Sequence, residues 1–175
     1  MKTLVVYTSQ TGFTKRYAQW LGERTNGDVF DLKEVQKNAD SFFEEYEAIV
    51  YAGWFMAGKV VKVNWFFDKA KGWKDKQLAL IAVGGSPNES PDVDVSMKKL
   101  LTDEQKKYIK AFYCQGGFNY EKMNVPSKLA MKAFVGSLKK SKDEKQREMG
   151  AYIDHSYDIS DVKYIEPVVE YIQGA

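Results

Sequence analysis

Three hydroxyl residues, Ser9, Thr11 and Thr14, surround Gly12 in the run Ser9-Gln10-Thr11-Gly12-Phe13-Thr14. The run follows a short apolar segment and opens a helical pattern. In that setting backbone N–H groups point out of the first helical turn, the helix dipole favours an anion, and each hydroxyl can donate to a phosphate oxygen. No Lys or Arg lies within the run, so charge would be met by hydrogen bonds and dipole alone. A P-loop would end in Gly-Lys-Ser/Thr and a dinucleotide fingerprint would read G-x-G-x-x-G; the run is neither. The same residues also suit a plain Ser/Thr turn that caps a helix.

Three other segments carry residues of the right kind to complete a site. Gly53-Trp54-Phe55-Met56-Ala57-Gly58 sets a bulky apolar trio between glycines, a loop that can lay an aromatic against a planar ring or serve as core. Gly84-Gly85-Ser86-Pro87-Asn88 and the following Glu89, Asp92 and Asp94 read as a loop, and this loop has no aromatic. Gln115-Gly116-Gly117-Phe118-Asn119-Tyr120 has glycines that permit close backbone approach. The one histidine, His155, lies in a polar stretch and reads as a surface residue. Cys114 ends an apolar run and reads as a buried small residue rather than a nucleophile. No carboxylate pair or Ser-His-Asp grouping points to hydrolysis.

Each of these segments follows an apolar run of strand length. Leu4–Tyr7, Val29–Leu32, Ala48–Ala52, Gln77–Val83 and Ile109–Cys114 are the predicted strands. Between them lie helical patterns. Thr14, Tyr17, Ala18 and Leu21 form one stripe, and Val60–Lys71 and Met97–Leu101 are further helical stretches. Asn124–Lys140 is a predicted helix capped by Asn124, with Leu129, Ala130, Ala133, Phe134 and Leu138 on the side expected to pack on the sheet. The charged run Lys139–Glu148 is expected to be solvated. A last helix is predicted from Ser160, with Val162, Ile165, Val169 and Ile172 inward and Pro167 kinking or splitting it. Strands alternating with helices imply a five-stranded, doubly wound parallel sheet with helices on both faces. Ligands of such sheets bind beyond the carboxyl ends of the strands, where strand order switches.

With 175 residues, 44% of them hydrophobic and 14% aromatic, the chain can bury one domain's core, so residues 1–175 are expected to form a single domain. The formal net charge of +2 argues against a strongly basic nucleic-acid binder and against a strongly acidic carrier. One cysteine allows no intramolecular disulfide and no Cys-based metal site, and a cytoplasmic location is the expectation. Met1-Lys2-Thr3 before Leu4–Tyr7 does not read as a secretory leader, and no apolar run approaches the roughly 18 residues needed to cross a bilayer.

Ser9-Gln10-Thr11-Gly12-Phe13-Thr14 resembles the S/T-x-T-G-x-T phosphate loop of flavodoxins, with Phe13 where Asn is common. The order of strands and helices is similar over nearly the whole chain. The resemblance implies a flavodoxin-like α/β fold that binds FMN through three loops. Ser9, Gln10, Thr11, Gly12, Phe13 and Thr14 would hold the phosphate. Gly53, Trp54, Phe55, Met56, Ala57 and Gly58 would cover one ring face. Gly84, Gly85, Ser86, Pro87 and Asn88 would form the third loop, leaving the second ring face open to a substrate. An insertion at about residues 115–157, with an aromatic-basic segment and a long helix after strand five, resembles the flavodoxin-like menaquinone-dependent protoporphyrinogen oxidases. Three functions follow as expectations. The first is an FMN-dependent oxidoreductase passing electrons between a small molecule and a quinone-like acceptor, the insertion either packing on the sheet, shaping a pocket over the open ring face, or resting on a partner or as a peripheral contact on a membrane surface. The second is an FMN electron carrier between redox proteins, and the third a cofactor-free interaction module.

Overall fold

The first strand, β1 (Thr3–Thr8), is so thoroughly apolar that Leu4, Val5 and Val6 have no exposed surface, as a central parallel strand covered on both faces requires. The computed structural model describes residues 1–174. After α1 (Phe13–Thr25) come β2 (Asp28–Asp31) and two short helices, α2 (Leu32–Val35) and α3 (Ser41–Glu44). The chain continues through β3 (Ala48–Met56), β4 (Lys59–Val60), α4 (Val63–Ala70), β5 (Gln77–Gly84), α5 (Pro91–Leu100) and β6 (Ile109–Gln115). The parallel sheet has the order β2-β1-β3-β5-β6. From β1 the chain moves first outward to β2 and then to the other side through β3, so the switch point lies between β1 and β3.

Alternate residues along each strand feed two cores. On one face Val5, Val50, Ala79 and Ile81 meet Tyr17, Ala18 and Leu21 of α1 and the last helix, α8 (Glu166–Gln173). On the other, Leu4, Val6, Ile49, Tyr51 and Leu80 meet α2, α3 and α4 through Leu32, Phe43 and Phe66.

Between β6 and α8 the chain leaves the sheet and returns. Gly117–Phe118 (β7) pairs antiparallel with Tyr157–Asp158 (β8), and the excursion they close holds α6 (Val125–Lys139) and α7 (Glu144–Tyr152). Gly117, at φ 151°, passes so close to Tyr157 that a Cβ there would strike the Tyr157 carbonyl.

Several expectations need correction. The segment Gly53–Gly58 is not a loop after a strand ending at Ala52. β3 runs on to Met56 and turns through Ala57 and Gly58, both at positive φ, into β4, which pairs Phe55 with Val60. Period-2 pairing of Trp54-Phe55-Met56 with a short return strand satisfies backbone groups that a loop would leave to water. Val60 therefore belongs to β4, and α4 starts at Val63. Leu32 opens α2, because Asp31 accepts from Lys33 N and Glu34 reaches back to Asp31 N, a capping box. The helix predicted at Met97–Leu101 begins earlier, at Pro91. The charged run Lys139–Glu148 leads into a second helix, α7, capped by Asp143. Pro167 does split the final helix, into a 3-10 turn (Val162–Ile165) and α8, and Val162, expected inward, is exposed. The largest correction is the face of α6. Asn124 caps it as expected, but Leu129, Ala130, Ala133 and Phe134 all face outward, and Val135 is its one buried residue. Its principal packing partner is α7 rather than the sheet.

Candidate functional site

The carboxyl ends of β1, β3 and β5 converge at the switch point, and the depression above them has two lobes that share Thr11 and Phe13. The inner lobe, about 70 Å³, is lined by Ser9, Gln10, Thr11, Phe13, Thr14, Trp54, Phe55, Gly84 and Gly85 from the predicted segments, together with Val83 and Gly117. The outer lobe, about 410 Å³, lies between the start of α1 (Gly12, Phe13, Lys15, Arg16) and the β7–β8 ribbon (Phe118, Tyr157).

The segment between β1 and α1 forms a nest of unspent donors. Gly12 enters α1 in the left-handed region, φ 104°, which turns the chain so that the first helical amides face the depression. Gly12 N donates to Ser9 Oγ at 3.2 Å, leaving the Ser9 hydroxyl hydrogen for another acceptor. Among the described residues the amides of Gln10, Thr11, Phe13 and Thr14 donate to no protein acceptor, and neither do the hydroxyls of Thr11 and Thr14. Thr14 is 2% exposed, so its hydroxyl is held in place rather than waving in solvent. Four amides and three hydroxyls around the positive end of a helix make an anion cradle. Tyr17, one turn along α1, fixes the helix. Its hydroxyl donates to Gln115 O at 2.5 Å and accepts from Asp161 N at 3.1 Å, and burial pushes its phenol pKa well above the ordinary value.

The aromatic wall is a hairpin arm. Trp54 and Phe55 are half-buried on β3, whereas Met56 is 60% exposed at the tip with Ala57 and Gly58, away from the lobes. The third segment splits likewise. Gly84 and Gly85 reach the inner lobe, but Ser86, Pro87 and Asn88 do not. Asn88 is spent on structure: its N donates to Gln115 Oε1 at 2.9 Å, its Nδ2 to Tyr113 O at 3.1 Å, and its Oδ1 accepts from Gln115 N at 2.8 Å. The Tyr113 hydroxyl donates to Ser86 O at 2.8 Å and occupies the space a Gly84 side chain would need.

Phe118 lies in the segment after β6 that the sequence offered for this edge, whereas Tyr157 carried no sequence signal for this place. Tyr157 OH donates to Gly85 O at 2.6 Å, and a Cβ on Gly85 would lie 2.5 Å from Phe118 Cε2. The third segment has no aromatic of its own, and the ribbon supplies two. Only the glycine pair Gly116-Gly117 hinted at such an approach. His155 is exposed and outside the lobes. Cys114 is fully buried, its thiol donates to Tyr164 O at 3.4 Å, and burial pushes its pKa up to about 12, so it stays protonated and inert.

The phosphate end fits a phosphomonoester. The inner lobe is smaller than the roughly 300 Å³ at the lower end of ligand pockets. A planar ring enters there only where the lining gives way; in the aromatic wall Phe55 packs edge-on against Tyr113, with ring centroids 6.1 Å apart.

An open parallel sheet with an anion nest and an aromatic arm at its switch point defines a flavodoxin-like α/β protein. The model of the Flavodoxin domain family matches residues 4–146, most of the chain, and the protein belongs to that family. Similar solved structures include a WrbA-like flavodoxin from Agrobacterium tumefaciens (18% identity, 87% of this chain and 94% of that one, TM-score 0.50). The flavodoxin of Streptococcus pneumoniae TIGR4 has 14% identity over 99% of each chain, with a TM-score of 0.50. A Lactobacillus acidophilus flavoprotein in complex with FMN has 14% identity over 65% of this chain and 91% of that one, with a TM-score of 0.45. The likeness to the Agrobacterium and Streptococcus structures is, at these identities, one of fold. Comparison with curated proteins gives no match.

Proposed function

We propose that the protein binds FMN in this depression and acts as a flavin-dependent oxidoreductase, passing electrons between a small molecule and a quinone-like acceptor. The observation that carries the reading is the nest of free donors at Ser9–Thr14, built for one phosphate and lacking any feature for a pyrophosphate or adenosine. Ser9, Thr11, Thr14 and the amides of Gln10, Thr11, Phe13 and Thr14 would hold the phosphate. Trp54 and Phe55 would flank the ring, and Gly84 and Gly85 would let backbone approach it. Bound FMN would supply one- or two-electron redox chemistry. The protein's own part is to orient the ring, exclude water with the aromatic arm, and leave an approach for substrate through the outer lobe. There Lys15 and Lys122 present positive charge, while Arg16 is paired with Asp158 at 2.5 Å. A protoporphyrinogen-oxidising activity with a menaquinone-type acceptor is the specific form of this reading, supported by the position of the excursion after β6. It is tested by anaerobic transfer of electrons from protoporphyrinogen to a soluble quinone.

The test of the flavin site is titration with FMN and riboflavin, followed by absorbance and flavin fluorescence. FMN is expected to bind far more tightly than riboflavin. Thr11→Ala and Thr14→Ala are each expected to weaken FMN by about 1–3 kcal/mol, the cost of an unmet buried hydrogen bond, with riboflavin unaffected. Equal affinity for the two flavins overturns the phosphate assignment.

A further inference from the structure

We propose that the outward face of α6 docks on an anionic lipid bilayer. The face consists of two adjacent helical ridges, Val125–Leu129–Ala133 and Pro126–Ala130–Phe134, all six residues exposed. Val125 is 71%, Leu129 64% and Phe134 47% exposed, and grouped exposed apolar side chains of this kind mark interaction surfaces. The opposite side of the same helix is already occupied. Val135 is buried, and Leu138 lies so close to Gly150 of α7 that a Cβ there would be 2.9 Å from Leu138 Cβ. The helix is therefore apolar on both sides, and its outer side has no covering within the chain.

Charge selects the partner. Residues 125–152 hold seven Lys and Arg against three acidic residues, a net +4; the whole chain is +2, so everything outside the hairpin sums to −2. Lys132 and Lys140 are exposed at the rim of the apolar face, and among the described residues they have no carboxylate partner, whereas Lys139 is paired with Asp154. An apolar stripe bordered by free lysines is the pattern of a helix lying in the headgroup region of an anionic leaflet, with stems along the hydrocarbon boundary and ammonium groups at the phosphates. A symmetric contact between two copies would set this positive hairpin against itself. No helix among the described residues is long and apolar enough to cross a membrane, so the contact is one of lying on, not spanning. The start of α6 is tied to the site by Gln10 Nε2, which donates to Ser127 Oγ at 3.2 Å. That bond links the docking helix directly to the Ser9–Thr14 segment. The docking does not depend on flavin binding; its use for a lipid-dissolved acceptor rests on the function proposed above.

The experiment is co-sedimentation of the full chain with vesicles of phosphatidylcholine alone and of phosphatidylcholine mixed with phosphatidylserine, at low and high salt. The expected result is binding to the anionic vesicles, weakened by salt, with little binding to the neutral ones. Leu129→Glu combined with Phe134→Glu should weaken binding by about tenfold or more. Lys132→Gln and Lys140→Gln should each weaken it on the order of fivefold. These side chains are exposed, and circular dichroism with a flavin titration checks that each variant retains its fold and site. Absence of binding by the native chain, equal binding to both vesicles, or unchanged binding by the Leu129/Phe134 variant overturns the proposal. So does a native dimer that the same double variant converts to monomer without any vesicle binding, which assigns the face to a second copy. Loss of flavin binding with vesicle binding intact counts against the flavin site alone.

Discussion

Helices α8 and α6 carry similar apolar stripes and meet opposite fates. In α8, Val168, Val169 and Ile172 are buried against the sheet at 0%, 6% and 1% exposure. In α6, Leu129 and Phe134 stand in solvent, and the helix leans on α7 instead. The difference follows from how each is tethered. α8 enters through a 3-10 turn held by Tyr17 and Cys114, both rooted in the sheet core. α6 hangs from a two-residue ribbon and one side-chain hydrogen bond at Gln10. An apolar stripe says that a helix has a face to cover; the tether decides what reaches it.

The sharpest way to break the comparison is a pair of truncations. Leu80→Ala, in the middle of the sheet, is expected to cost about 2–5 kcal/mol by urea denaturation. Leu129→Ala in α6 should stay within about 0.5 kcal/mol. A Leu129→Ala cost as large as that at Leu80 would mean that α6 packs on the sheet. A gentler probe is Gly150→Leu, which forces α6 and α7 apart where they cross closest. The expected cost of about 1–3 kcal/mol should fall on the hairpin and leave flavin affinity unchanged. A drop in FMN affinity in that variant would tie the hairpin to the site more rigidly than the Gln10–Ser127 bond implies.

Hydrogen exchange sharpens the same contrast without mutation. Amides of β3 and β5 should open only with global unfolding, and those of α6 and α7 by local opening at far lower free energy. Equal protection in both regions would contradict the tether account. The smallest effect concerns the aromatic arm. Ala57 sits at φ 50° in its turn, a conformation that disfavours any side chain. Ala57→Gly should stabilise the protein by no more than about 1 kcal/mol, the relief of strain being partly offset by a freer unfolded chain. A destabilisation measured in the same melts would show that Ala57 makes a contact worth more than its strain.

The fold and the anion nest were legible in the sequence because they depend on local patterns. Apolar runs such as Ala48–Ala52 announce central strands, and Ser9–Thr14 with Gly12 announces a helix start rich in donors, whatever surrounds them. Cys114 was readable as buried for the same reason, lying at the end of such a run. The hairpin arm was not legible, because Trp54-Phe55-Met56 pairs with only two residues of return strand, and Ala57 at positive φ is a turn that propensity argues against. Nor could Asn88 be seen to be spent on Gln115, or Phe118 and Tyr157 to wall Gly85, since those partners are 27 or more residues apart along the chain. By itself the sequence determined which segments become the five strands of the parallel sheet, which helices are amphipathic, and where a helix start rich in donors lies, since each follows from backbone geometry and period over a few residues. The outward face of α6 and the shape of the two lobes were decided only by the tertiary structure, because covering a surface is a contest among distant segments that no local period records.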